Sequence, residues 1–230
     1  MRIISGKLKG RQIKFPKNIR PTQNKVRKAV FDCLGDSVEG SAFLELFAGS
    51  GAVGIEAFSY GAKRVVFVDS DIKCLKLIET NLISLGINPY QDKDGTGRQI
   101  YRKDSMEALC FLESQGLTFD LIFLDPPYLT GLAKKSLLAI ASYDILNPLG
   151  IVVIEHGKKE ELPRTEGSLI LFKRKHYGDK ILSFYERVIP AASGSDSNQM
   201  KLSCRQKAGT NKHKNHQSPI SNNQTIPKHQ

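Results

Sequence analysis

Residues 43–57 read FLELFAGSGAVGIEA, and the reading of this stretch decides the fold. Phe43 to Phe47 is an apolar run of strand length, Gly49-Ser50-Gly51 is a turn, and Val53 to Tyr60 is a helix that stops near Gly61. Arg64 to Val68 is a second apolar strand, so the segment is a strand–helix–strand unit whose two strands run parallel. Gly49, Gly51 and Gly54 satisfy G-x-G-x-x-G directly after the first strand, and Asp69 follows at the end of the second, twenty residues beyond Gly49. In such a turn Gly49 permits the tight bend and Gly51 lets the backbone approach a ligand. The Asp69 carboxylate is placed to accept hydrogen bonds from two ribose hydroxyls. Any nucleoside cofactor satisfies this much, a nicotinamide dinucleotide included.

The alternation continues outward. Ile72, Leu75, Ile78, Leu82 and Leu85 mark a helix ending near Gly86, Gln99–Arg102 and Phe119–Leu124 are strands, and residues 131–143 are helical. Ile151–Glu155 is strand-like, and Leu169–Lys173 with Ile181–Val188 form a closing β-hairpin across the His176–Asp179 turn. The expected fold is therefore α/β, with a Rossmann-like, mostly parallel sheet of seven strands covered by helices on both faces and ended by an antiparallel hairpin.

The charge is unevenly placed. Residues 1–30 hold ten Lys or Arg and no acid, residues 31–189 sum to −4 and residues 190–230 to +5, which accounts for the overall +11. A basic arm on a mildly acidic core points to a polyanionic partner. In the arm, Arg2–Gly6 and Gly10–Phe15 alternate polar and apolar residues as a hairpin does. Val26, Ala29, Val30, Phe31 and Leu34 then form the apolar stripe of a helix that Thr22 can cap after Pro21. Arg2, Lys7, Lys9, Arg11, Arg20, Thr22, Arg27 and Lys28 are the candidate nucleic-acid contacts.

The expected organisation is a basic hairpin and helix over 1–36, a catalytic core over 37–189 and a disordered polar tail over 190–230. Four dispersed cysteines without a CxxC pair argue against a zinc site or a disulfide framework. No apolar run reaches membrane-spanning length and the N-terminus lacks the apolar core of a signal peptide, so a cytoplasmic protein is expected. Without a heptad or an apolar stripe left over, a monomer is the expectation.

Phe123-Leu124-Asp125-Pro126-Pro127-Tyr128 separates the cofactor readings. It lies at the C-terminal end of the fourth strand, the sheet edge where α/β folds gather ligands. Consecutive prolines remove two N–H donors and restrict the backbone, leaving the Asp125 carboxylate and neighbouring carbonyls as acceptors on a stiff turn. Acceptors beside the aromatic face of Tyr128 suit an exocyclic amino group on a stacked base.

These residues resemble the Asp-Pro-Pro-Tyr class of S-adenosylmethionine-dependent amino methyltransferases. With MRIISGKLKGRQIKFP, RPTQNKVRKAVF, VVFVDSD, IVVIEH and KRKHYGDKILSFYER, the chain from Met1 to about Val188 resembles the RsmD-like family of bacterial 16S ribosomal RNA guanine-N2 methyltransferases. The resemblance implies a seven-stranded class I methyltransferase sheet. It also implies S-adenosylmethionine held by Phe47, Ala48, Gly49, Ser50, Gly51, Asp69, Asp104, Ser105 and Met106, and chemistry at Asp125, Pro126, Pro127 and Tyr128. The implied partner is 16S ribosomal RNA, free or within a small subunit, and the implied reaction requires no metal. Without the family, Asp104 reads equally as a helix cap. Competing readings are methylation of adenine N6 in DNA or of a protein amide, an NAD-dependent oxidoreductase, and a non-enzymatic RNA-binding module. His156 is left outside the catalytic set.

Overall fold

The chain alternates strand and helix in the computed structural model, which describes residues 1–15, 24–88 and 96–189. Arg20, Thr22 and the 190–230 tail lie outside the described residues. The elements are α1 (Asn24–Leu34), β1 (Ala42–Leu46), α2 (Ala52–Ser59), β2 (Arg64–Asp69), α3 (Ile72–Leu85), β3 (Gly97–Arg102), α4 (Ser105–Ser114), β4 (Phe119–Leu124), α5 (Leu132–Ser142), β5 (Leu146–Gly157), β6 (Thr165–Glu166), β7 (Leu169–Tyr177) and β8 (Lys180–Arg187). They build one sheet in the order β3-β2-β1-β4-β5-β8-β7-β6. Pairing is parallel from β3 through β5 and antiparallel from β5 onward.

Among the described residues the sheet has eight strands rather than the seven expected. The extra one, β6, is two residues long. It pairs with Leu169 and Ile170 because Gly167, at φ +54°, turns the chain back on itself. A strand of two residues has no period to read. The hairpin β7–β8 closes where expected, with Tyr177 opposite Lys180 across Gly178-Asp179.

Strand alternation sends one set of side chains to each face. Phe43, Phe67, Phe123 and Val153 pack with Val30, Phe31, Val53, Ile78 and Leu82, so α1, α2 and α3 cover one face. Leu44, Leu46, Val66, Leu124 and Ile154 pack with Leu109, Leu112, Leu137 and Ile140, so α4 and α5 cover the other.

The N-terminal arm is built into this core. Ile13 N–H donates to Met1 O, Ile3 N–H to Arg11 O and Gly10 N–H to Ile3 O, an antiparallel ribbon with one bridge, Arg2 to Gln12. It is shorter than the expected hairpin because the core takes the next donors. Ile4 and Ser5 N–H both donate to the Glu56 carboxylate, and Lys7 N–H donates to Ser59 O. Gly6 makes that approach possible, since a Cβ there would sit 1.8 Å from Ser59 O. Farther along, Lys14 and the Asn81 side chain exchange two hydrogen bonds, and Phe31 of α1 stacks on Tyr60 at 4.6 Å between centroids.

Candidate active site

The C-terminal ends of β1 to β5 emerge on one sheet edge. Leu46 stands opposite Val68 and Leu124, Asp69 opposite Arg102, and Leu124 opposite Ile154. The segments leaving these strands, residues 47–51, Asp69, Asp104 and residues 125–128, are therefore neighbours, as the sequence requires of a single site.

The glycine turn is held from both sides. Ala48 N–H donates to Val68 O and Gly51 N–H to Ala48 O, while Phe47 takes a left-handed φ of +55°, a conformation that side chains avoid except where the surroundings impose it. Gly49, at φ +52°, faces open space, and a Cβ there would meet nothing nearer than Phe47 O at 4.0 Å. Gly51 also serves packing: a Cβ at Gly51 would lie 2.8 Å from Ile78 Cγ1 and 3.2 Å from Phe67 Cε1, so its missing side chain lets the turn close against α3 and β2.

Asp69 organises the turn as well as facing the site edge. Its Oδ2 accepts from Gly49 N–H at 2.7 Å and its Oδ1 from Asp71 N–H at 2.8 Å. Each carboxylate oxygen has a second lone pair, so the group can still receive hydroxyl donors. Asp104 caps α4, its Oδ1 accepting from Met106 N–H at 2.9 Å and Glu107 N–H at 3.0 Å. Ser105 is buried and Met106 half-buried beside it.

Sequence reasoning missed Glu45. This carboxyl is 3% exposed beneath the glycine turn and accepts from Val53 N–H at 3.3 Å and Gly54 N–H at 2.9 Å at the start of α2. Burial pushes it up to about 8, against the lowering effect of those two N–H groups, and the nearby Asp125 and Asp69 charges push the same way. A lone acid inside an apolar strand was the available signal.

On the Asp-Pro-Pro-Tyr turn, Pro126 is buried, Asp125 half-buried and Tyr128 exposed at its rim. Thr130 Oγ1 donates to Pro127 O at 2.7 Å and stiffens the exit from the turn. The Tyr128 hydroxyl donates to Glu155 Oε1 at 2.8 Å, and Lys180 pairs with the same oxygen. Burial, then the Glu155 and Asp125 charges, push the phenol up, so it remains a donor. Glu155 and Lys180 were also missed, although Glu155 stands alone at the end of the apolar run IVVIEH. His156 points to the opposite face of β5, buried between Ser183 Oγ at 2.8 Å and Gly157 O at 3.1 Å, and burial pulls it down.

The candidate nucleic-acid residues divide. Arg2, Lys7, Lys9 and Arg11 are exposed on the ribbon, although the Arg11 guanidinium also donates to Ser84 O and Leu85 O at the end of α3. Lys28 is exposed and pairs with Asp32. Arg27 is a correction. It is 0% exposed, bonded to Glu56 Oε2 at 3.0 Å, to Arg2 O and to Asn24 Oδ1, and is therefore a structural cation with no path to a phosphate.

Comparison with known proteins places this architecture. The family described as "Conserved hypothetical protein 95" matches residues 1–186. YlbH of Bacillus subtilis, named as a candidate rRNA methyltransferase, is 37% identical over 81% of this chain and 99% of its own. The protein named ribosomal RNA small subunit methyltransferase D from Buchnera aphidicola is 33% identical over 70% of this chain and 80% of its own. The solved structure of yhhF from Escherichia coli, titled as a candidate methyltransferase, superposes with a TM-score of 0.70 at 27% identity, covering 82% of this chain and 98% of that one. With its glycine turn, acceptor turn and N-terminal ribbon all inside the matched span, this chain belongs to the Conserved hypothetical protein 95 family, the RsmD-like family.

Proposed function

We propose that the protein transfers a methyl group from S-adenosylmethionine to the exocyclic N2 amine of a guanine in small-subunit ribosomal RNA. The observation that carries the reading is the juxtaposition, through the Leu46–Leu124 pair, of a nucleoside-type glycine turn with the acceptor turn Asp125-Pro126-Pro127-Tyr128. The relatives named for small-subunit ribosomal RNA methylation support the substrate class. The residues fit the cofactor: Gly49 leaves the outer side of its turn open, and Asp69 and Asp104 present carboxylates at successive strand ends.

S-adenosylmethionine, when bound, supplies a methyl already activated on a sulfonium. The protein's contribution is placement and charge. The guanine N2 lone pair is delocalised into the ring. Accepting its two hydrogens at the Asp125 carboxylate and the Pro126 carbonyl shifts the nitrogen toward a nucleophilic geometry. Asp125 also stabilises the positive charge that develops on the amine and offers a carboxylate to accept the proton it sheds. Tyr128 stacks on the base, and Pro127 keeps the turn from relaxing.

The test is methyl incorporation from a labelled donor into naked 16S RNA and into small-subunit particles. Wild-type protein incorporates label into at least one of them. Asp125→Ala loses about 10²–10³-fold in rate while calorimetric cofactor affinity stays within twofold. An Asp125→Ala variant that keeps half the wild-type rate contradicts the assignment.

A further inference from the structure

Glu155 is, with Glu45, a buried acid of the sheet. It is 0% exposed near the end of β5, directly after the buried apolar run Ile151–Ile154, and its Oε2 has no hydrogen-bond partner among the described residues. A buried ion pair adds little to stability over apolar residues of the same size, and an unpartnered buried oxygen costs free energy, so stability does not account for it. What it holds does. Its Oε1 receives the Tyr128 hydroxyl and the Lys180 ammonium together, and Lys180 Nζ stands 5.6 Å from the centre of the Tyr128 ring. Lys180 reaches this position because it pairs with Gly157, two residues after Glu155 and on the same face of β5. The root of the tyrosine lies against Gly157, where an added Cβ would stand 3.6 Å from Tyr128 Cβ and Cγ.

We propose that Lys180 and Glu155 are a positioning pair that sets the Tyr128 ring before the base arrives. The ring is fixed at its hydroxyl by Glu155, at its root by Gly157 and on one face by the Lys180 ammonium, which leaves the other face for stacking. A ring already held in one rotamer loses little entropy when the base stacks on it, and this is the advantage of anchoring it. The pair acts through Tyr128 and does not itself touch the amine.

The inference rests on the base-methylating reading above. Its test is a double-mutant cycle in steady-state methyl transfer to the ribosomal RNA substrate. Lys180→Met lowers kcat/KM about tenfold, mainly through the KM for RNA, with cofactor affinity unchanged; Lys180→Arg restores most of the loss. In a Tyr128→Phe background, which has no hydroxyl for Glu155 to hold and leaves Lys180 only its contact with the ring face, the same Lys180→Met change costs about threefold or less. Equal losses in both backgrounds, or wild-type kinetics for Lys180→Met, overturn the pair while leaving the proposed reaction standing. If Lys180→Met fails to fold, Glu155→Gln takes its place in the same cycle, with the same expected and contradicting results. A wild-type protein inactive on every RNA tested overturns both.

Discussion

Asp69 shows how one carboxylate serves structure and site together. By accepting from Gly49 and Asp71 it fixes the glycine turn at the sheet edge where the cofactor is proposed to bind. Both the glycine spacing and this acid were legible in the sequence, because the chemistry constrains their positions along the chain. Glu45, Glu155 and Lys180 were not, because their meaning lies in what is adjacent across strands: Glu45 beneath Gly54, and Glu155 beside Tyr128. Arg27 was misread for the same reason, since a charge count cannot tell the buried face of α1 from the exposed one. Glu45 carries a testable pH signature. Its carboxyl is raised to about 8 in the folded chain, so the folded state holds a proton that the unfolded chain releases near its ordinary value of 4.5. The corresponding stability is fully present below about 4.5 and is lost as pH climbs to about 8. Glu45→Gln cannot ionise. Its urea-denaturation stability relative to wild type should therefore improve between pH 5 and 8 by about 2–4 kcal/mol and level off above that. A pH-independent difference would show that Glu45 titrates normally.

At the scale of elements, Glu56 of α2 joins the arm, α1 and the core. It accepts from Ile4 and Ser5 N–H and pairs with Arg27, and burial pushes its carboxyl up against those contacts. Removing either charge leaves the other buried and unpaired. Arg27→Ala or Glu56→Ala should each cost about 3–5 kcal/mol in chemical denaturation, and an effect under about 1 kcal/mol would mean that the arm docks without them. The ribbon's exposed charges have a different signature. Replacing Arg2, Lys7 and Lys9 with Gln should leave stability close to wild type and weaken RNA binding. It should also reduce the log–log salt slope by about 0.7–0.9 for each phosphate that is no longer neutralised. An unchanged slope would place these residues off the RNA path. The long strands, the parallel crossover and the β7–β8 hairpin were legible because each spans enough residues to show a period and ends at a recognisable turn. β6 and the truncated ribbon were not, since one is a two-residue strand and the other is shaped by donors that Glu56 and Ser59 claim from fifty residues away.

For the whole molecule, the charge map becomes sharper once burial is included. The arm's formal +10 overstates its outward charge, because Arg27 is neutralised inside the core and Lys28 is paired with Asp32. Beneath it stands a −4 core in which the glycine turn and the Asp-Pro-Pro-Tyr turn share one sheet edge. The proposed methylation of a base in RNA draws on two separate features: the exposed charges of the ribbon, docked on the C-terminal ends of α2 and α3, suit a polyanion, and the acceptor turn at the sheet edge suits an amine. The chemistry of the turn suits any planar amine, so the product discriminates most directly. The decisive measurement is nuclease digestion and mass spectrometry of small-subunit ribosomal RNA after reaction with the wild-type protein and a labelled methyl donor. The account predicts label in N2-methylguanosine at one site, while label in N6-methyladenosine, or none in RNA and some in DNA or protein, would contradict it.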